Sequence, residues 1–272
     1  MGGTMSKTGT MEGKVALVTG ASRGIGEAIA ERFAAEGAAV AVSARTVEEG
    51  DHPLPGSINA TVAKIRDAGG NAVAIAADLS RAEDRARLVA EAEREFGPVD
   101  ILVNNAAITY FEPVETFSEN HWRLMFEVQV RAPFELAQAV LGGMKERQSG
   151  WILNISSGAG RHPVGPPYQN PGGSTVYGMC KAALERFTTG LASEVHSHNI
   201  AVNVLSPSGL VLTPGVIHHK LHERTSASNH EPVSYMAEAA HALCTGDPAT
   251  LTGKVTYAQP IMEELGIPFP AN

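Results

Sequence analysis

VTGASRGIG, residues 18–26, follows an apolar run from Lys14 to Val18 that reads as a buried strand. It leads into a segment with helical periodicity, Glu27 to Glu36, that stops at Gly37. Strand, glycine-rich loop and helix in this order form the opening unit of a dinucleotide-binding fold. Gly20 suits the sharp turn, Gly24 the close approach of a pyrophosphate, and Gly26 the packing of helix on sheet. Ser22, Arg23 and Ile25 supply the intervening backbone at a helix N-terminus that favours anions.

The same rhythm continues outward from this loop. Val40 to Ser43, Ala72 to Ala76, Asp100 to Val103, Ile152 to Ile155 and Ala201 to Leu205 read as strands. They alternate with helical segments at Ile58 to Asp67, Asp84 to Phe96, Leu124 to Leu141 and Val176 to His196, and a helix from Ser234 and a late strand at Lys254 to Ala258 follow. Such alternation predicts an α/β, single-domain Rossmann fold: three αβα layers around a mostly parallel sheet, with right-handed crossovers. Residues 1–12 read as a flexible tail and 13–272 as one domain. Glycine- and proline-rich insertions fall near 46–57 and 161–173, and an irregular, substrate-side region near 208–233.

The expected second strand ends Val42-Ser43-Ala44-Arg45, without the carboxylate that holds both ribose hydroxyls of NAD. Arg45 and Arg23 instead offer guanidinium forks for a ribose 2'-phosphate, which points to NADP(H); Glu48 and Glu49 keep NAD(H) open as the lesser choice.

Composition narrows the partners. The chain has 272 residues, enough for a hydrophobic core without metal or disulfides. Its 28 glycines, about 10% against a usual ~7%, fit many tight turns. A net charge of -8 repels phosphate backbones, so nucleic acid is not an expected partner. No apolar run approaches the ~18 residues of a membrane span, and the polar start MGGTMSKTGT has no signal-peptide core, so a cytoplasmic protein away from the membrane is expected. Cys180 and Cys244 give no disulfide framework and no metal-type spacing.

Tyr177 and Lys181 stand at i and i+4 on an expected helix, which puts both side chains on one face. TGASRGIG, NNAA at 104–107, a serine after a central strand and YGMCK at 177–181, in this order, resemble the short-chain dehydrogenases/reductases, among them the hydroxysteroid-dehydrogenase-like members. The resemblance runs from Gly13 to Pro214 and more weakly through 254–258. It implies an oxidoreductase that interconverts a carbonyl and a secondary alcohol by hydride transfer, active as a homodimer or homotetramer on a small molecule.

On that resemblance Tyr177 is the general acid or base, Ser157 orients the reacting oxygen, and Lys181 lowers the tyrosine pKa and contacts the nicotinamide ribose. Ser156 is the competing serine. Asn105, Ala106 and Ala107 would border the cofactor, Asp78 and Leu79 its adenine edge, and Thr213 its carboxamide. Departures from the family pattern are visible. Gln129 stands where an asparagine of the proton relay is usual, Ser157 and Tyr177 are separated by a longer interval, and Pro207-Ser208-Gly209 replaces Pro-Gly. Tyr168 and His162 of the longer interval are candidates for substrate selection.

Two other classes compete. A zinc enzyme is suggested by His218, His219 and His222, with His196, His198 and His230 as further ligands. A catalytically silent NADP-binding or interaction protein is suggested by the departures, against which stand the retained Ser157, Tyr177 and Lys181.

Overall fold

The computed structural model describes residues 9–168, 173–224 and 226–270. In chain order they form β1 (Val15–Thr19), α1 (Gly24–Ala35), β2 (Ala39–Ala44), α2 (Ile58–Asp67), β3 (Asn71–Ala76), α3 (Ala82–Phe96), β4 (Ile101–Asn104) and α4 (Glu119–Phe126). There follow α5 (Ala132–Arg147), β5 (Gly150–Ile155), α6 (Thr175–Val195), β6 (Ile200–Ser206), α7 (Pro214–His218), α8 (Val233–Thr245), β7 (Val255–Tyr257) and α9 (Ala258–Glu264). Every strand pairing is parallel, in the order β3-β2-β1-β4-β5-β6-β7. The order reverses between β1 and β4, and outside the carboxyl ends of these strands lies the crevice where open α/β sheets bind ligands.

Alternation along each strand builds both faces of the sheet. Ala16, Val18, Val40 and Val42 point to the layer of α1, α2 and α8, where they meet Ile29, Phe33, Val62 and Met236. Val15, Leu17 and Ala41 point to the layer of α3, α5 and α6, with Leu88, Leu136, Val140 and Val195. Because both faces are covered, the strands read as continuous apolar runs. Each fully buried Leu, Ile or Phe contributes about 1.5–3 kcal/mol relative to exposure.

The elements differ from expectation at their ends and at one junction. The helix expected at 124–141 is two helices, α4 and α5, joined by a π turn over Glu127–Arg131 that contains Gln129. The short helices α7 and α9 add to the expected set, and α9 begins at Ala258, the residue assigned to the end of the last strand. Residues 9–12, assigned to a flexible tail, are packed: Met11 is fully buried in the core, and its N–H donates to Glu36 O at 2.9 Å. Residues 1–8, and 169–172 of the second insertion, lie outside the described residues. Among the described residues no helix is long and apolar enough to cross a membrane.

Candidate active site

The glycine loop joins β1 to α1 at the switch point. Gly20 and Gly24 have φ of +64 and +63, a region costly for residues with a Cβ. A Cβ on Gly20 would lie 2.7 Å from the Ala106 Cα, and one on Gly26 would collide with the Asn105 amide. That amide donates to Thr19 O at 2.9 Å and Gly20 O at 3.0 Å, while Thr19 Oγ1 accepts the N–H groups of Asn105 and Ala106 at 3.1 and 3.2 Å. Asn105 thus shapes the loop, and Ala106 and exposed Ala107 continue along the crevice. Ser22 is buried and Ile25 half-buried. The N-cap residue Arg23 makes no side-chain cap bond to the first turn of α1 among the described residues, which leaves backbone N–H groups there for an anion. Thr213 comes against Gly24 from the other side, 3.0 Å from where a Cβ would stand, and its Oγ1 accepts Val216 N–H as the cap of α7. This cradle, tight around glycine and open at the helix terminus, fits the phosphates of a dinucleotide.

At the end of β2, Arg45 is exposed, with no hydrogen-bond partner among the described residues. Arg23 is partly committed to the first insertion. Its Nε donates to Pro55 O at 2.8 Å, and its Nη2 to Gly56 O at 2.6 Å, Leu54 O at 3.2 Å and Thr46 Oγ1 at 3.3 Å. Its Nη1 edge makes no bond among the described residues. The nearby acids serve their own loop: Glu49 accepts Gly56 N–H, Glu48 accepts the Asn59 amide, and Asp51 accepts the N–H groups of Val47 and Glu48. Asp78 accepts both the N–H and the hydroxyl of Ser80, and Leu79 packs into the core.

Beyond β5 the two serines part. Ser156 donates to Glu185 at 2.7 Å, whereas the Ser157 side chain acts on the Tyr177 phenol. Ser157 also caps the short 3-10 turn Gly158–Gly160, against which α6 sits so closely that a Cβ on Gly178 would lie 2.7 Å from Ala159 O. That contact holds tyrosine and serine together. Tyr177 is half-buried, and burial pushes the phenol up, with Ser157 acting in the opposite direction.

Lys181 is buried one turn on. Its Nζ donates to Ile155 O at 2.9 Å and lies 5.6 Å from the centroid of the Tyr177 ring. Burial brings the amine down to about 8. Lys181 is not among the groups that shift Tyr177; the phenol's value in the coenzyme-free protein is set by burial, Ser157 and Cys180. Gln129 is buried, donates its amide to Ile108 O at 2.8 Å, and leaves its Oε1 without a partner among the described residues.

Phe111, unremarked in the sequence, packs edge-on against Tyr177 at 6.0 Å and against His219 at 5.9 Å, so it forms the rim between the candidate acid and α7. Tyr168 is exposed and stacks on Gly165 of its own loop. Among the described residues no three or more His, Cys, Asp or Glu side chains converge as a metal site, so the zinc reading lacks an assembled ligand set there.

The inserted Ser208 is tied down by a buried acid the sequence did not single out. Glu231 accepts the N–H of Ser208 at 2.9 Å and the Gln259 amide at 3.1 Å. Its presence was visible only as one acid in an irregular stretch, since its partners lie 23 and 28 positions away.

Comparison with known proteins agrees with this geometry. The family model for short chain dehydrogenases matches residues 14–223. The short-chain reductase protein NovJ of Streptomyces niveus is 36% identical over 243 residues, covering 89% of this chain and 86% of that protein. The 3-oxoacyl-(acyl-carrier-protein) reductase FabG of Vibrio cholerae is 33% identical, covering 91% of this chain and 90% of that one. Among solved structures, a metagenomic short-chain oxidoreductase in complex with NADP superposes with a TM-score of 0.74 at 30% identity, over 91% of this chain and 97% of the other. A dehydrogenase from Xanthomonas campestris superposes with a TM-score of 0.82 at 32% identity, over 94% and 91%. With the parallel Rossmann sheet, the glycine cradle and the paired Ser157 and Tyr177 at its edge, the chain belongs to the short-chain dehydrogenase family of oxidoreductases.

Proposed function

We propose that this protein is an NADP(H)-dependent oxidoreductase that interconverts a small-molecule carbonyl and the corresponding secondary alcohol, with Tyr177 as general acid and base. The observation that carries the reading is the grouping of Ser157, Tyr177 and buried Lys181, the amine 5.6 Å from the tyrosine ring, at the strand ends that also hold the glycine cradle. When bound, the nicotinamide supplies or accepts the hydride. Ser157 then holds the substrate oxygen, and the Tyr177 hydroxyl gives it a proton as the carbonyl is reduced. Lys181, positioned by Ile155 O, is the cation that meets the phenolate left behind and the residue placed to hold the nicotinamide ribose.

The glycine-loop backbone through Ser22, Arg23 and Ile25, with Asn105, Ala106, Ala107, Asp78, Leu79 and Thr213, completes the coenzyme contacts. The preference for NADP(H) over NAD(H) is supported by exposed Arg45, by the free Nη1 edge of Arg23, and by acids engaged elsewhere in their loop. NADP and NADPH complexes among the similar solved structures support it too. Oligomerisation is supported by an apolar groove of Trp122, Phe126, Val130, Phe134 and Phe187, in which Trp122 and Phe134 are 43% and 50% exposed. Action in a reducing, cytoplasmic setting is supported by two unpaired, buried cysteines.

The test is NADPH consumption by the purified protein across chemically diverse carbonyls, with Tyr177→Phe as the matched control. The substitution should lower kcat by roughly a hundred- to ten-thousandfold while coenzyme affinity is retained. Coenzyme binding without turnover on any carbonyl or alcohol would favour the silent binding protein instead.

A further inference from the structure

The first insertion, which the family pattern does not explain, is stapled onto the coenzyme cradle. Arg23 of the glycine loop holds the carbonyls of Leu54, Pro55 and Gly56. Gly56 lies so close to Ser22 O that a Cβ would collide with it. The loop between Arg45 and α2 is thereby fixed beside the end of β2.

Within it, His52 is half-buried, and its Nδ1 accepts the N–H of Leu54 at 3.1 Å. A ring nitrogen that accepts from a backbone N–H carries no proton, so the neutral imidazole is protonated on Nε2, and that N–H is a donor with its orientation set by the turn. The charged groups acting on His52 are Arg23, Arg45 and His218, all basic. His52 thus sits two residues from the first of the carbonyls that Arg23 holds, in the loop that starts at exposed Arg45, on a chain whose net charge is -8. Of the two acids that act on Arg23, Glu49 accepts the Gly56 N–H and Glu27 is paired with Lys64. Arg23 and Arg45 act on each other as like charges, and an anion between them relieves the repulsion.

We propose that His52 is a third ligand of the phosphate on the adenosine ribose, its Nε2–H meeting that phosphate beside Arg45 and the Nη1 edge of Arg23. The proposal rests on the reading that the coenzyme is NADP(H), and it gives the insertion the task of carrying a phosphate donor to the cradle. Charge-assisted hydrogen bonds of this kind are the strong ones, so His52 should contribute to the choice between the two coenzymes.

The experiment is titration calorimetry of the full-length protein with adenosine 2',5'-bisphosphate, 5'-AMP, NADPH and NADH. It compares wild type, His52→Asn, His52→Ala and Arg45→Ala. Asparagine can accept the Leu54 N–H in the same turn but is too short to present the donor; unchanged melting temperature verifies that the loop is kept. Both His52 variants are expected to bind the two 2'-phosphorylated ligands about tenfold more weakly, with 5'-AMP and NADH unchanged. Equal losses for all four ligands would overturn the proposal, because the loop would then act only as a cover. A phosphate preference that survives in both His52 variants yet falls in Arg45→Ala would overturn it alone. A wild type indifferent to the phosphate would overturn it together with the coenzyme reading.

Discussion

Lys181 carries an electrostatic conflict that the proposed function explains and stability opposes. Its amine is buried and brought down to about 8, with burial the largest cause and Cys180 and Glu185 acting in the opposite direction. Between that value and the ordinary 10.5, the unfolded chain holds a proton that the folded chain has released, so folding stability rises with pH across this window. Lys181→Met cannot titrate; it is expected to abolish turnover and to lack the rise. Urea midpoints of both proteins from about pH 7 to about pH 10 check this, and parallel curves would remove the electrostatic account. Gln129 presents a different case. Sequence reasoning placed an amide one methylene too long at the relay position, and the structure gives that length a use, the 2.8 Å bond to Ile108 O. Gln129→Asn should draw the amide away from this buried carbonyl and cost about 1–3 kcal/mol, without raising kcat. A stable variant with a large gain in kcat would mean that the native glutamine impairs the relay.

At the scale of elements, what the sequence revealed was what local chemistry determines. The helix Ile58–Asp67 begins where expected because Ser57 caps it, its hydroxyl accepting Ala60 N–H, and the strands stand out because both their faces are buried. The π turn around Gln129 was hidden because apolar periodicity continues through it, and α7 and α9 because five and seven residues carry too little pattern. The glycine loop was legible from its spacing, whereas the roles expected of Tyr177 and Lys181 came from the family resemblance. The allegiance of Arg23 to the carbonyls of 54–56 was not legible, since it depends on a contact more than 30 positions away. Glu231 is the strongest such case. It joins the end of β6 to α9 through Ser208 and Gln259, while Leu210 pairs with the segment Asn229 to Glu231. The loop it fixes is followed by Thr213, which meets Gly24. Glu231→Gln turns an amide donor towards the Gln259 amide or withdraws the acceptor from Ser208, and should cost about 1–3 kcal/mol. The double variant Glu231→Gln with Gln259→Glu restores a donor–acceptor pair and should recover part of that loss. Purely additive urea midpoints would show that the two side chains do not act as a pair.

Over the whole molecule, one polar cluster ties the segment before β1 and the late helix α8 to the first helix. Thr10 donates both its N–H, at 2.9 Å, and its hydroxyl, at 2.8 Å, to Glu36, and Arg32 reaches Glu36 at 2.5 Å and Glu238 of α8 at 2.7 Å. His241 of α8 completes the ring, its Nε2 lying 2.6 Å from the Thr10 hydroxyl. With the hydroxyl given to Glu36, the imidazole must donate through Nε2, while burial and then Arg32 hold it below its ordinary value of 6.5. Glu36 is lowered to about 2, first by the Thr10 N–H and then by Arg32. Both shifts weaken the fold in acid, in successive windows. Below pH 6.5 the unfolded chain takes a proton on His241 that the folded chain resists, so stability begins to fall. The contribution of Glu36 is complete above its ordinary value of 4.5 and is lost as the pH falls through about 2. His241→Gln, which keeps an amide donor towards Thr10, should therefore flatten the loss between about pH 7 and about pH 5. Glu36→Gln should be less stable than wild type by about 2 kcal/mol near neutrality, with the gap closing as the pH falls from about 4.5 towards about 2. Urea midpoints followed across both windows check the pair, and a Glu36→Gln gap that stays constant with pH would show that the cluster acts through packing and not through charge.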